Sequence, residues 1–375
     1  MTNKPLSSRT IDALRFPCAI LVILVHTFRP RAESPGFPFA PLETIEVALS
    51  QGISRIAVPV FFFISGYLFF SKLDKWDWGV YLDKIRKRSR TLLVPYLLWV
   101  TLAILWIVGL YLIRHFFFGW GLSSLSEYLS GNGWGLMYWN CARNYQYHTF
   151  QNILGWTMPS AYPYNFPLWF IRDLIVLCLF APVIHFALKK TNGWLLAVLY
   201  PLHLLDIWIP LEGFASEGWF FFSLGAFLRL KGKDILEVFG QFRILSYILT
   251  ILTLAFCIVA YGDNNLWEYA RRSLSLPGTV AAFNLCAALL KKGRIKDNPF
   301  LAECSFPVFA GHTIGLTMIM GLLVDKVLPG SGDAVMFLKY LLRPTLIILV
   351  ILATFYLAKR YLPKTTARFT GGRSS

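Results

Sequence analysis

Residues 92–113 read LLVPYLLWVTLAILWIVGLYLI, twenty-two positions without a charged side chain. As a helix rising 1.5 Å per residue, the run covers about 33 Å, enough to cross the ~30 Å hydrocarbon core of a bilayer. Nine further apolar runs flank it, at roughly 12–29, 53–71, 166–188, 193–210, 215–230, 244–261, 274–290, 306–324 and 340–358. The run at 215–230 is short, and the one at 193–210 carries Pro201 and Pro210. Of the 375 residues, 56% are hydrophobic and only 15% charged, against about 25% charged in ordinary soluble domains. Disorder is excluded because it requires low hydrophobicity. A soluble two-domain protein is excluded because too little polar surface is left to clothe it.

The net charge of +16 arises from 36 Lys and Arg against 20 Asp and Glu. Sorted along ten alternating spans with a cytoplasmic N-terminus, 25 of the basic residues fall on the cytoplasmic side and 8 on the other. The densest block is Lys84, Arg86, Lys87, Arg88 and Arg90, just before the 92–113 run. An excess of this kind orients membrane proteins. It also makes nucleic acid a poor explanation for the charge, because the basic residues are spread over loops instead of one face. The expectation is an all-α, polytopic integral membrane protein of about ten transmembrane helices with both termini cytoplasmic. The chain reads as one transmembrane domain over 1–375, with a large extracytoplasmic loop at about 114–165. Lys4 and Arg9 precede the first apolar run, but Arg15 interrupts its start and no small-x-small cleavage site follows, so it reads as a retained helix.

The 114–165 segment is dense in rings, among them Trp120, Tyr128, Trp134, Tyr138, Trp139, Tyr145, Tyr147, Trp156, Tyr162 and Tyr164. Interfacial anchoring and a sugar-stacking surface explain this equally well, since both want flat amphipathic rings at the water boundary. The six cysteines show no CxxC or Cys/His cluster, so they read as small buried hydrophobes and not as metal ligands.

Ionisable residues inside spans cost ~2.5–3.5 kcal/mol each on insertion scales, which makes them functional candidates. Arg15 and His26 lie eleven residues apart in the first run. Eleven steps of 100° make three turns plus about 20°, so the two share a helix face, separated by roughly 16 Å along the axis. A cation near the mouth suits phosphate groups, and a histidine deeper in can take a proton from a hydroxyl. Arg172 and Asp173 are adjacent in the fourth run; helix neighbours point about 100° apart, so each is expected to find its partner on another helix. His203 and Asp206 are three apart and are expected to be able to pair. Arg55 opens the second run, and His312 lies within the ninth.

Five segments together resemble the acyltransferase-3 family, polytopic membrane enzymes that acylate glycans and related envelope molecules. Ile11-Asp12-Ala-Leu-Arg15, ten residues and then His26 resemble its first-helix signature. Val58-Pro59-Val-Phe-Phe-Phe-Ile-Ser65-Gly66-Tyr67 resembles its second helix. Arg86-Lys87-Arg88-Ser-Arg90 before Val94-Pro95-Tyr96 resembles its basic loop, with Lys87-x-x-Arg90 where the family often has Arg-x-x-Arg. Pro167-Leu-Trp169-Phe-Ile-Arg172-Asp173 resembles its fourth-helix block, and His312 fits a late histidine. The resemblance implies acyl transfer, acetyl by default and succinyl as an option, from acyl-CoA to a hydroxyl of a glycan or lipid-linked sugar. It implies no permanently bound cofactor and no nucleic-acid partner. The setting would be a prokaryotic cytoplasmic membrane, among lipids and envelope-biosynthesis proteins.

The resemblance further implies that Arg15, Asp12, Arg86, Lys87 and Arg90 bind the donor, with Asp12 orienting Arg15. His26 would act as general base, and Arg172, Asp173 and His312 complete the candidate catalytic set, Arg172 or His312 stabilising the oxyanion. No esterase-like domain is fused to the chain on this reading. A flippase or exporter of a lipid-linked saccharide or acyl group, without chemistry of its own, is the competing expectation; ten helices with buried charges fit it as well.

Overall fold

The computed structural model describes residues 4–31, 37–119, 121–131, 133, 136–141, 152, 154–156 and 162–372. Trp120, Trp134, Tyr145 and Tyr147 of the aromatic loop lie outside them. Helix is the regular structure throughout the described residues. In chain order the helices are α1 (Leu6–Thr27), α2 (Pro41–Phe69), α3 (Trp78–Phe118), α4 (Ser123–Gly131), α5 (Phe166–Leu179), α6 (Ala181–Lys190), α7 (Trp194–Leu204), α8 (Ser216–Leu230), α9 (Ile235–Gln241), α10 (Arg243–Ala260), α11 (Asn264–Lys291), α12 (Pro299–Gly311), α13 (Leu316–Val327), α14 (Asp333–Tyr361) and α15 (Pro363–Thr370).

Every one of the ten apolar runs is helical. Among the described residues, six helices (α1, α2, α3, α10, α11 and α14) are long and apolar enough to cross a membrane, and eight spans result if each bent pair counts as one. Those pairs are α5 with α6, bent by 62°, and α12 with α13, bent by 85°. The remaining two runs form α7 and α8, of 11 and 15 residues, below the ~20 needed for a simple crossing. Between them the chain leaves helical geometry at Asp206, whose φ is +52°, and Pro210 cannot continue a helix. The protein is thus an all-α, polytopic membrane protein.

The faces turned outward support the same conclusion. Only 17% of the most apolar stretch of α3, and 17% of that of α10, is buried. Leu97, Leu105, Ile113 and Phe116 of α3 are exposed, a strip that water would not tolerate but lipid does. Several hydroxyls within the spans are satisfied by their own helix. Thr101 donates to the Leu97 carbonyl, Thr250 to Ser246 and Thr345 to Leu341, each at 2.6–2.8 Å, as a medium without water demands. All six cysteines are buried.

Helix starts follow from side chains that accept orphan amide hydrogens. Asp77 accepts from the Val80 amide at the head of α3, Asp263 from Asn265 and Leu266 at α11, and Asn298 from Leu301 at α12. α1 runs through the middle of the bundle, packed against α2, α11, α12 and α14. The closest crossing is that of α2 with α8. A methyl group on Gly66 would overlap the Phe222 carbonyl, and one on Gly225 would overlap the Phe63 carbonyl. Reciprocal glycines let the two backbones touch, the small-residue solution to packing in lipid, where burial itself supplies no drive.

Candidate active site: two chambers along the first helix

Two cavities open beside α1, one lined by Arg15 and the other by His26. The first, of about 470 Å³, is lined by Arg15 together with Lys84, Lys87 and Arg88. Among the described residues no carboxylate lines it. Arg15 is steadied by Asp12, one turn earlier, at 3.3 Å. The three α3 cations share a face because positions i, i+3 and i+4 fall together on a helix. Immediately after them, Ser89–Leu93 widens into a π turn, a feature often found at functional sites. It supplies Thr91 and Leu92 to the wall. The C-terminal residues Gly371 and Gly372 complete it. Gly371 adopts a φ of +69°, and an added Cβ would lie 2.5 Å from the Thr91 carbonyl oxygen, so this closure requires glycine.

Three rings end the basic chamber on the His26 side. Phe61, Phe170 and Phe309 all line it. They touch pairwise, with centroids 5.7 Å apart for Phe61–Phe170, 6.3 Å for Phe61–Phe309 and 5.8 Å for Phe170–Phe309. One turn beyond Phe170, Phe166 lies edge-on to His26 at 4.6 Å. One turn beyond Phe309, His312 stacks on His26 with centroids 5.2 Å apart and planes within 19°.

The break between α12 and α13 delivers His312 to this place. Its Nδ1 lies 2.8 Å from the Phe309 carbonyl, so that nitrogen carries the hydrogen and Nε2 the lone pair. Nε2 is buried with no hydrogen-bond partner. Around the break, Asn165 donates to the Ala310 carbonyl and accepts from Thr313 at 2.9 Å each, and Thr317 donates to the His312 carbonyl at 2.7 Å.

His26 faces the second cavity, of about 690 Å³. Its charges are mixed. The guanidiniums of Arg55, Arg172, Arg271 and Arg272 meet the carboxylates of Asp173, Asp206, Glu212, Glu217 and Glu268. Arg271 pairs with Glu268, and Arg272 with Asp206 at 2.8 Å. Arg55 is held by Gln51, from a second π turn at Ala48–Gly52, and lies 4.8 Å from the Trp267 centroid. Rings of Tyr162, Trp169 and Trp208 also reach this wall.

The structure corrects one expectation and refines others. Arg172 and Asp173 do pair, because the long arginine side chain folds back across the 100° between neighbours: its Nε and Nη2 both lie 3.0 Å from Asp173 Oδ1. Each also has a partner elsewhere, a backbone group between helices and not a side chain on another helix. Arg172 Nη1 donates to the Trp139 carbonyl at 2.8 Å, and Asp173 Oδ2 accepts from the Ala215 amide at 3.1 Å. The side chains of His203 and Asp206 do not pair, because α7 ends between them; the Asp206 amide donates to the His203 carbonyl at 3.3 Å. Arg272 bridges them instead, donating to the His203 carbonyl at 3.0 Å, while the His203 ring lies between Ser216 and Ser275.

Of the sequence candidates for an anion site, Arg15 and Lys87 line the basic chamber, whereas Arg86 and Arg90 do not. Arg86 points to solvent, 75% exposed, against Asp83. Sequence reasoning took the 84–90 block as a whole, without separating Lys84 and Arg88 from Arg86 and Arg90, and it did not single out Glu217. The first two were separable by the i, i+3, i+4 spacing with Lys87, and Glu217 was findable as a carboxylate inside the 215–230 apolar run. In the aromatic loop, Tyr128 and Tyr164 spend their hydroxyls on each other at 2.9 Å.

A family model described as an acyltransferase domain, Acyl_transf_3, matches residues 9–359. The succinoglycan biosynthesis protein ExoH of Rhizobium meliloti (strain 1021) is 24% identical over 374 residues, covering 98% of this chain and 93% of that protein. No solved structure matches the chain. A helical membrane bundle with a cation-lined chamber and a histidine chamber on one central helix, matched by the family model over nearly its whole length, is an acyltransferase: the chain belongs to the acyltransferase-3 family.

Proposed function

We propose that the protein transfers an acyl group, acetyl by default, from a coenzyme A thioester to a hydroxyl of a cell-envelope saccharide in the bacterial inner membrane. The observation that carries this reading is the placement of Arg15 and His26 on α1, one in each chamber. Four cations without a carboxylate suit the phosphates of coenzyme A. The ~16 Å rise from Arg15 to His26 is a reach that a pantetheine arm can cover. The excess of basic residues in the loops around Lys84–Arg90 turns the basic chamber toward the cytoplasm, where acyl-CoA is made, with both termini on that side. The role of the similar Rhizobium protein in succinoglycan biosynthesis supports a glycan acceptor, and leaves succinyl as an alternative group.

In the reaction, His26 takes the proton of the acceptor hydroxyl as its oxygen attacks the thioester carbonyl. The tetrahedral intermediate collapses with loss of the C–S bond, and the coenzyme A thiolate takes the proton back from the imidazolium. The products are an ester and a free thiol, and no bound cofactor is needed. His312 fixes the His26 ring by stacking. With its hydrogen on Nδ1, it offers no donor from Nε2. Arg172 and Asp173 hold the chamber wall, through Trp139 and Ala215, and the Arg172 N–H groups left over by those bonds can turn to the oxyanion. Purified His26→Ala should lose ~10²–10⁴-fold of its transfer rate from radiolabelled acetyl-CoA while keeping its thermal unfolding temperature. Full activity in that variant would remove the base from the scheme.

A further inference from the structure

The charge pattern of the two chambers differs in kind. The basic chamber selects an anion, but the second one, with four guanidiniums against five carboxylates, is close to balanced and most of these groups are paired with each other. A chamber of that composition gives no advantage to a phosphate or uronate. It is instead rich in fixed hydrogen-bonding groups and half-buried rings. Within it, Glu217 stands apart. It occupies the first turn of α8, where the helix N-terminus offsets the cost of its charge. Among the described residues no hydrogen bond or ion pair to its carboxylate is found, unlike Asp173, Asp206, Glu212 and Glu268. His26 has none either, and both line the same cavity. Trp169 and Trp208 supply flat apolar faces to it, each only partly buried. A carboxylate with free lone pairs beside aromatic plates suits a ring that carries hydroxyls on its edge and C–H groups on its faces.

We propose that the second chamber binds an uncharged pyranose, with Glu217 accepting hydrogen bonds from its hydroxyls and Trp169 and Trp208 packing its faces. This names the acceptor class for the reaction above and rests on that reading. Glu217 binds and orients; His26 does the proton transfer.

The test uses the full-length protein in lipid nanodiscs, because glycoside detergents would compete. Binding of cellobiose and methyl β-D-glucoside is titrated by calorimetry, with glucuronic acid as the anionic counterpart and coenzyme A as the control for the other chamber. The expected result is saturable binding of the neutral sugars, weaker by tenfold or more in Glu217→Gln, partly restored in Glu217→Asp and weakened in Trp208→Ala. Coenzyme A affinity should be the same in all variants, which also shows that they are folded. Equal sugar binding by Glu217→Gln and wild type, tighter binding of glucuronic acid than of the neutral sugars, or no saturable sugar binding would overturn the proposal. The two readings fail separately. Sugar binding without coenzyme A-dependent transfer sinks the reaction and leaves the site standing. Transfer with an unchanged acceptor KM in Glu217→Gln does the reverse.

Discussion

At the scale of single residues, what matters is which cations reach the donor chamber. The basic block at 84–90 looks uniform in sequence, and the family-like spacing draws attention to Lys87 and Arg90. Helical geometry divides the block differently. Lys84, Lys87 and Arg88 point into the chamber, while Arg86 makes a solvent-exposed pair with Asp83, an interaction worth little. A charge-assisted contact to phosphate is worth ~1.5–3 kcal/mol, which is about tenfold or more in affinity. Arg88→Ala should therefore raise the coenzyme A dissociation constant about tenfold, whereas Arg86→Ala should leave it within about twofold. Equilibrium binding to the purified protein checks this, and equal losses in the two variants would mean that the face assignment is wrong. The Arg15/His26 pair was legible from spacing alone because a straight helix fixes relative angle. The Arg172–Asp173 contact was not, because side-chain length overrides the angle between neighbouring positions.

Among the elements, the breaks are as informative as the spans. Apolar periodicity locates all ten helical runs, but it treats 166–188 and 306–324 as single crossings. Each is bent, by 62° and 85°, and the second bend places His312 against His26. Pro182 and Gly315 mark the two breaks in the sequence but not their angles; the bonds of Asn165 and Thr317 around the second one come from outside α12. The crossing of α2 and α8 belongs to this scale too. Because methyl groups at Gly66 or Gly225 would meet backbone carbonyls, which cannot rotate away as side-chain ends can, Gly66→Ala should destabilise by about 1–3 kcal/mol or more. Thermal unfolding in detergent would show it as a lowered midpoint. A control substitution at Gly109, where an added Cβ meets nothing within 4 Å, should leave the midpoint unchanged.

Across the whole molecule, the decisive feature is that the two chambers are separate. Phe61, Phe170 and Phe309, from three different helices, touch one another and line the basic chamber but not the one that His26 lines. A donor arm that crosses them would meet the acceptor hydroxyl with bulk water from the basic side shut out, which limits hydrolysis of the thioester. Phe170→Ala should then raise the ratio of free coenzyme A to acylated acceptor several-fold at saturating substrates, measured by following thiol release and ester formation together; an unchanged ratio would mean that the rings are packing alone. The sequence by itself determined that this chain is a helical membrane protein, where its apolar runs lie, and that Arg15 and His26 share a face. These follow from local quantities: hydropathy, charge and the 100° step of a helix. Only the tertiary structure decided that His312 stacks on His26, that three cations of the basic block on α3 and not their neighbours enter the chamber, and that Glu217 has no hydrogen bond or ion pair among the described residues of a balanced cavity. Those facts depend on where distant helices cross, and the crossings are set by close contacts such as Gly66 against Phe222 that no local pattern encodes.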